Sequence, residues 1–168
     1  MSDGFETDTP STAVVGDLPA SQAGVESVDP HHVYDAVVVG GGPCGATAAH
    51  DLVRQGFEVV LMDKDGRIKP CGGAIPPRCV QDFDIPDEQL VARIKSALMV
   101  APSGRQVPMP IEGGYVGMVD REHFDEWLRT RAAEAGASRV YGTFDHYTTR
   151  PDGTVDVHYA QKGDGNQA

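Results

Sequence analysis

The sequence predicts a Rossmann-like α/β protein, and three observations carry that reading. A short apolar run, Ala36 to Val39, feeds into Gly40-Gly41-Gly42-Pro43-Cys44-Gly45. A helix-like segment follows. A second apolar run, Val59 to Met62, then ends in Asp63, which stands 23 positions after Gly40, close to the separation of roughly 20 expected of a dinucleotide site. Glycines alone also mark ordinary turns. The agreement of strand, turn, helix, strand and acid is what favours a nucleotide.

Each part has a physical task toward that ligand. Gly40 makes the tight turn off the strand, Gly42 lets the backbone approach a pyrophosphate, and Gly45 lets the helix pack against the sheet. The helix start offers free N–H groups and about half a positive charge to the phosphates. Pro43 suits a first-turn position, where its missing N–H costs nothing. Cys44 is expected to contribute its backbone N–H, with the thiol incidental. Ala46, Ala49, Leu52 and Val53 share one helix face, and Gly56 suits a C-terminal stop. Asp63, at the strand tip, is placed to accept hydrogen bonds from ribose hydroxyls.

Lys64 to Arg78 reads KDGRIKPCGGAIPPR, a basic island with Lys64, Arg67, Lys69 and Arg78 against Asp65 alone. Its glycines and prolines make it a loop, either a solvated surface loop or one that faces a ligand. Its place directly after the acid-tipped strand favours the second. Pro86 to Ile94 suggests a short helix opened by Asp87 and Glu88. Ser96 to Ala101 and Arg105 to Met109 read as a hairpin about Pro102-Ser103-Gly104, and Tyr115 to Val119 as a further strand.

Asp120 is a good N-cap for the next helix, which carries Phe124, Trp127, Leu128, Ala132 and Ala135 at helical spacing and stops at Gly136. The aromatic pair suits the core better than a ligand stack. Arg121 opposes the macrodipole at that helix start, either as a mildly unfavourable placement tolerated on a surface or as the mark of a nearby anion. Val140 to Phe144 reads as the third strand of the nucleotide sheet. Tyr147 to Arg150 and Thr154 to Tyr159 read as a hairpin about Pro151-Asp152-Gly153.

At 168 residues the chain holds one domain with room for a small second lobe. A net charge of −11 speaks against general nucleic-acid binding. No apolar run nears the ~20 residues needed to cross a bilayer. Residues 1–33 hold six acidic residues and no Lys or Arg, and they lack periodicity. A disordered acidic tail over 1–32 and a folded nucleotide-binding domain over 33–168 are therefore expected. The tail has the marks of neither a secretory signal nor a transit peptide, so a cytoplasmic location is the expectation. Cys44, Cys71 and Cys79 have no metal-like spacing, and no disulfide framework is expected of them.

Taken together, GGGPCGATAA, KPCGGAIPPR and MVDREHFDEWL resemble the geranylgeranyl reductases, more narrowly the branch of these FAD-containing flavoproteins that serves (bacterio)chlorophyll biosynthesis. The likeness runs from about Tyr34 to about Tyr159. KPCGGAIP is its specific part, because many flavoproteins share the glycine turn. The resemblance implies an FAD-binding domain of the hydroxybenzoate-hydroxylase-like type. It also implies tightly bound FAD, NADPH as electron donor, and saturation of three of the four double bonds of a geranylgeranyl chain. The substrate would be geranylgeranyl diphosphate or geranylgeranyl-(bacterio)chlorophyll, and the product phytyl.

Carried over by residue, the resemblance places Gly40, Gly42, Pro43, Cys44 and Gly45 at the FAD pyrophosphate. Asp63, with Lys64 beside it, falls at the adenosine ribose, and Arg121 at the phosphate or ribityl region. Cys71, Gly72 and Gly73 fall near the isoalloxazine ring and the prenyl channel. An unactivated alkene makes a poor carbanion, so protonation must lead or accompany hydride delivery. Cys71 either helps place or protonate that alkene or simply packs.

Members of that family are more than twice this length and carry a second flavin motif and a substrate lobe, so a truncated chain, inactive alone, is expected. The hydrophobic substrate suggests peripheral contact with the photosynthetic membrane, though no amphipathic anchor is visible. Oligomeric state is not fixed by any residue. Competing readings are an aromatic-ring flavin monooxygenase, a non-catalytic nucleotide-binding module and an NAD-dependent dehydrogenase. The last leaves the second and third motifs unexplained.

Overall fold

Val59-Val60-Leu61-Met62 is an unbroken apolar run, and all four residues are buried. A strand paired on both edges and covered on both faces requires that pattern. The computed structural model, which describes residues 28–29, 31–64 and 71–160, places this strand, β2 (Val59–Asp63), at the centre of a three-stranded parallel sheet. β1 (Ala36–Val39) pairs with one edge, Val37 opposite Val60. β8 (Ser138–Tyr141) pairs with the other, Leu61 opposite Arg139.

Helices α1 (Pro43–Arg54) and α3 (Arg121–Glu134) pack together against this sheet. Ala46 and Ala49 of α1 are fully buried, and Phe124, Leu128 and Ala132 of α3 join them and Val59 and Leu61 in one core. Small side chains at 46 and 49 let helix and sheet approach. Burying each large apolar side chain stabilises the fold by roughly 1.5–3 kcal/mol. Val60 and Met62 alternate to the opposite face and are buried there as well.

The connection from β2 to α3 forms a second region. It contains β3 (Ala74–Ile75), α2 (Pro77–Asp82), a 3₁₀ turn at Asp87–Gln89 and β4 (Ala92–Ile94). The hairpin of β5 (Ser96–Val100) and β6 (Gln106–Pro110) follows, then β7 (Val116–Met118), which pairs antiparallel with both β3 and β4. A last hairpin joins β9 (Thr143–Thr149) to β10 (Val155–Ala160).

Three sequence expectations need correction. Lys64 to Arg78 is not all loop: Ala74–Ile75 forms β3, paired with β7, and Pro77 and Arg78 open α2. Pro86 to Ile94 is not a helix: one 3₁₀ turn is followed by β4, with Ala92 opposite Met118 and Ile94 opposite Val116. The edge of β7 offers ladder bonds that a nine-residue helix without a buried face cannot match. The Arg93 guanidinium, ion-paired with Asp87 and lying over the Tyr115 ring, holds the strand in place. Val140 to Phe144 is also not one strand. β8 stops at Tyr141, and Gly142 is buried so tightly that a Cβ there would come within 2.5 Å of Tyr159. Phe144 therefore belongs to β9.

Of the expected tail, only residues 28–29 and 31–32 are described, and His32 Nε2 lies 2.9 Å from Glu58. Arg67 and Lys69 of the basic island lie outside the described residues.

Candidate nucleotide-binding site

The turn after β1 is built by three glycines with different reasons to be glycine. Gly40 has φ +105° and donates its N–H to the Met62 carbonyl at 2.8 Å, so it leaves the strand in a conformation that side chains disfavour. At Gly45 a Cβ would lie 1.8 Å from the Gly40 carbonyl oxygen, so α1 can approach the turn only without a side chain there. Gly42 is the N-cap of α1, with φ −71° and open space around it.

The start of α1 has Pro43 in its first turn, no side-chain cap and no acidic residue in that turn. An uncapped helix start beneath an open glycine is suited to an anion such as a pyrophosphate. Cys44 is exposed beside it.

Asp63 ends β2 next to this turn. Its Oδ1 accepts the Lys64 backbone N–H at 2.8 Å, while the Lys64 side chain reaches solvent. Its Oδ2 accepts from Arg129 Nη1 at 3.3 Å, and the same nitrogen donates to the Gly41 carbonyl at 3.1 Å. Gly41 is therefore no spacer: a Cβ there would meet Arg129 Cδ at 2.8 Å and Asp63 Oδ2 at 2.9 Å.

The network runs on through Arg129 Nε to Glu126 at 3.0 Å. Glu126 also accepts both Arg139 Nη groups, at 2.8 and 2.9 Å, and Arg139 donates to the Tyr141 hydroxyl at 2.7 Å. Burial alone would push the Glu126 carboxyl up, but the contacts from Arg139 and then Arg129 outweigh it and hold the carboxyl below its usual value. Two carboxylates and two guanidiniums thus balance in charge at the tip of β2.

Arg121 opens α3 after the N-cap Asp120, whose carboxylate accepts the Glu122 N–H at 3.0 Å. Arg121 has an anionic partner on its own helix. Its Nε and Nη2 donate to the two oxygens of Asp125, each at 2.7 Å, and Asp125 is buried. The Asp125 hydrogen bonds raise the Arg121 pKa, against the effect of burial, with a smaller contribution from Cys71, which also contacts Arg121. Gly72 is exposed with open space around it. Gly73, at φ +68°, is buried against β7, where a Cβ would lie 2.1 Å from the Val119 carbonyl oxygen.

Two groups thus emerge: Asp63 with Gly41 and Arg129, and Arg121 with Asp125 and Cys71. α3 carries both, with Arg121 and Arg129 about 12 Å apart along its axis at 1.5 Å per residue. The linear sequence does not mark Arg129, Glu126 or Arg139. The one available signal is the recurrence of Arg121, Asp125 and Arg129 every four residues, which reads as a solvated face unless Asp125 is known to be buried.

An apolar cleft of about 410 Å³ flanks the site between α1, α2 and α3, with Cys44, Cys79 and Phe83 among its lining residues. Among the described residues no cluster of three metal-ligating side chains occurs. No helix there is long and apolar enough to cross a membrane.

Residues 38–83 match the family described as NAD(P)-binding Rossmann-like domain. Over 111 residues the chain is 66% identical to a geranylgeranyl diphosphate reductase of Rhodobacter capsulatus, covering 66% of this chain and 28% of that protein. Over 131 residues it is 42% identical to a chloroplastic geranylgeranyl diphosphate reductase of Oryza sativa subsp. japonica, covering 73% of this chain and 28% of that one. Among solved structures, a geranylgeranyl bacteriochlorophyll reductase-like protein of Thermoplasma acidophilum superposes with a TM-score of 0.65 at 25% identity. That match covers 71% of this chain and 33% of the other. The chain spans just over a quarter of the length of the curated relatives it matches.

Proposed function

We propose that this chain cradles the FAD of an oxidoreductase that uses NADPH to reduce a geranylgeranyl chain to phytyl. The substrate is geranylgeranyl diphosphate or the geranylgeranyl ester of a (bacterio)chlorophyll. The high identity to a protein named geranylgeranyl diphosphate reductase carries the reading. The uncapped start of α1 under Gly42 supports the choice of a pyrophosphate-bearing cofactor.

In this reading residues 33–168 are the cofactor-binding domain and residues 1–32 a tail. Gly40, Gly42, Pro43, Cys44 and Gly45 hold the pyrophosphate, and Asp63 with Lys64 holds the adenosine ribose. Gly72 and Gly73 bring backbone toward the flavin ring. When bound and reduced, FAD supplies the hydride for one carbon of the alkene.

The other carbon needs a proton, and Cys71 is the candidate donor on this chain. The Arg121 guanidinium against it stabilises the thiolate left after the proton has gone. Asp125 holds that guanidinium in place through two bonds. A prenyl substrate puts the reaction at the surface of the photosynthetic membrane.

The test is a chimera in which this chain replaces the matching part of the Rhodobacter protein. Purified with FAD and given NADPH without air, it is expected to convert geranylgeranyl diphosphate to phytyl diphosphate, read by mass spectrometry. A chimera that holds flavin, is reduced by NADPH and leaves the prenyl chain unchanged in both the diphosphate and the (bacterio)chlorophyll ester contradicts the reading.

A further inference from the structure

We propose that Arg129 is a positioning residue of the nucleotide site, tying the glycine turn to Asp63 so that the carboxylate meets the ribose already oriented. The inference rests on the nucleotide reading given above and deepens it. One guanidinium joins three separate parts of the chain: α3, the Gly41 carbonyl at 3.1 Å and Asp63 Oδ2 at 3.3 Å. Its side chain is only 12% exposed, so it is not a loose surface arm waiting for phosphate. Its own orientation is fixed from behind by Glu126, which the two bonds from Arg139 fix in turn.

The consequence for ligand binding follows from what is left on Asp63. Each of its oxygens accepts one bond from the protein, one from the Lys64 N–H and one from Arg129. A carboxylate oxygen has a second lone pair, so acceptor capacity remains for a ribose hydroxyl. A nucleotide lying over the site removes water from Asp63, and an unpaired carboxylate would resist that loss. Arg129 supplies the compensating charge beforehand. It also explains Gly41, whose missing side chain leaves room for the arginine stem.

A plain structural ion pair would stabilise the fold without sensing the ligand, and the two roles separate experimentally. ADP and 2′-deoxy-ADP are titrated into the 168-residue chain and into Arg129→Met, with melting curves recorded for both proteins. The chain is expected to prefer ADP by about tenfold, the value of one hydrogen bond to a charged group. In Arg129→Met the preference is expected to fall to about twofold or less, because ADP loses affinity and 2′-deoxy-ADP changes little. Arg129→Gln, too short to bridge both acceptors, is read the same way if the Met variant does not fold. Equal weakening of both ligands overturns the positioning role and leaves a fold stabiliser. Failure of the unmodified chain to bind ADP at all overturns the nucleotide reading, and this proposal with it.

Discussion

Gly42 and Gly45 stand three residues apart in one turn, and the space around them predicts opposite behaviour on substitution. At Gly45 a Cβ would sit 1.8 Å from a backbone oxygen, which the turn cannot yield cheaply. Gly45→Ala is expected to cost about 3 kcal/mol, the upper end of overpacking penalties, read by urea denaturation. Gly42 has ordinary backbone angles and nothing within 4 Å. Gly42→Ala should therefore change stability by no more than about 0.5 kcal/mol. The added methyl stands where the pyrophosphate is proposed to lie, so FAD affinity should fall by about tenfold, or about 1.4 kcal/mol. Equal FAD affinity in Gly42→Ala and the unmodified chain would show that the phosphate lies elsewhere.

At the scale of elements, α3 organises the site, and much of its chemistry depends on long-range packing. Its limits were legible, because Asp120 caps, Phe124 and Leu128 recur at core spacing and Gly136 takes φ +119°. α1 and β2 were legible for similar reasons: a proline in the first turn, a small-residue face and an unbroken apolar strand. β4 was not legible, since Ala92-Arg93-Ile94 becomes a strand only because β7 lies beside it. The partners of Asp63 were equally hidden, since Arg129 lies 66 residues away.

The pH response of α3 follows from Glu126. Its folded carboxyl is held below the unfolded value, so its stabilising contribution is fully present above the unfolded value of 4.5. That contribution is lost as pH falls through the folded value. The gap in melting temperature between the unmodified chain and Glu126→Gln is therefore expected to be largest near neutrality and to close on acidification. A gap that stays constant with pH would show that the Arg129–Glu126–Arg139 network does not act through charge.

For the molecule as a whole, the apolar surface is unevenly covered. The α1–α3 side of the sheet is closed, whereas β5 and β6 expose Leu98, Met99, Val100, Val107 and Met109. Their register sets Met99 opposite Val107 on one face and Leu98 opposite Pro108 on the other, so both faces of the hairpin are apolar. A patch of that kind favours association. Leu98→Ser with Met109→Ser is expected to reduce concentration-dependent self-association in sedimentation without changing FAD affinity; unchanged sedimentation would show that the patch is inert. The cofactor elements lie apart from that hairpin, in the glycine turn, α1 and the tip of β2, and together they are proposed to hold the adenosine diphosphate half of FAD. The most direct test is a parallel titration of the chain with FAD, ADP and FMN, followed by fluorescence for the flavins and by calorimetry for ADP. FAD and ADP are expected to bind, and FMN, which lacks the adenosine half, to bind far more weakly. FMN binding as tightly as FAD, or neither FAD nor ADP binding, would contradict the proposal.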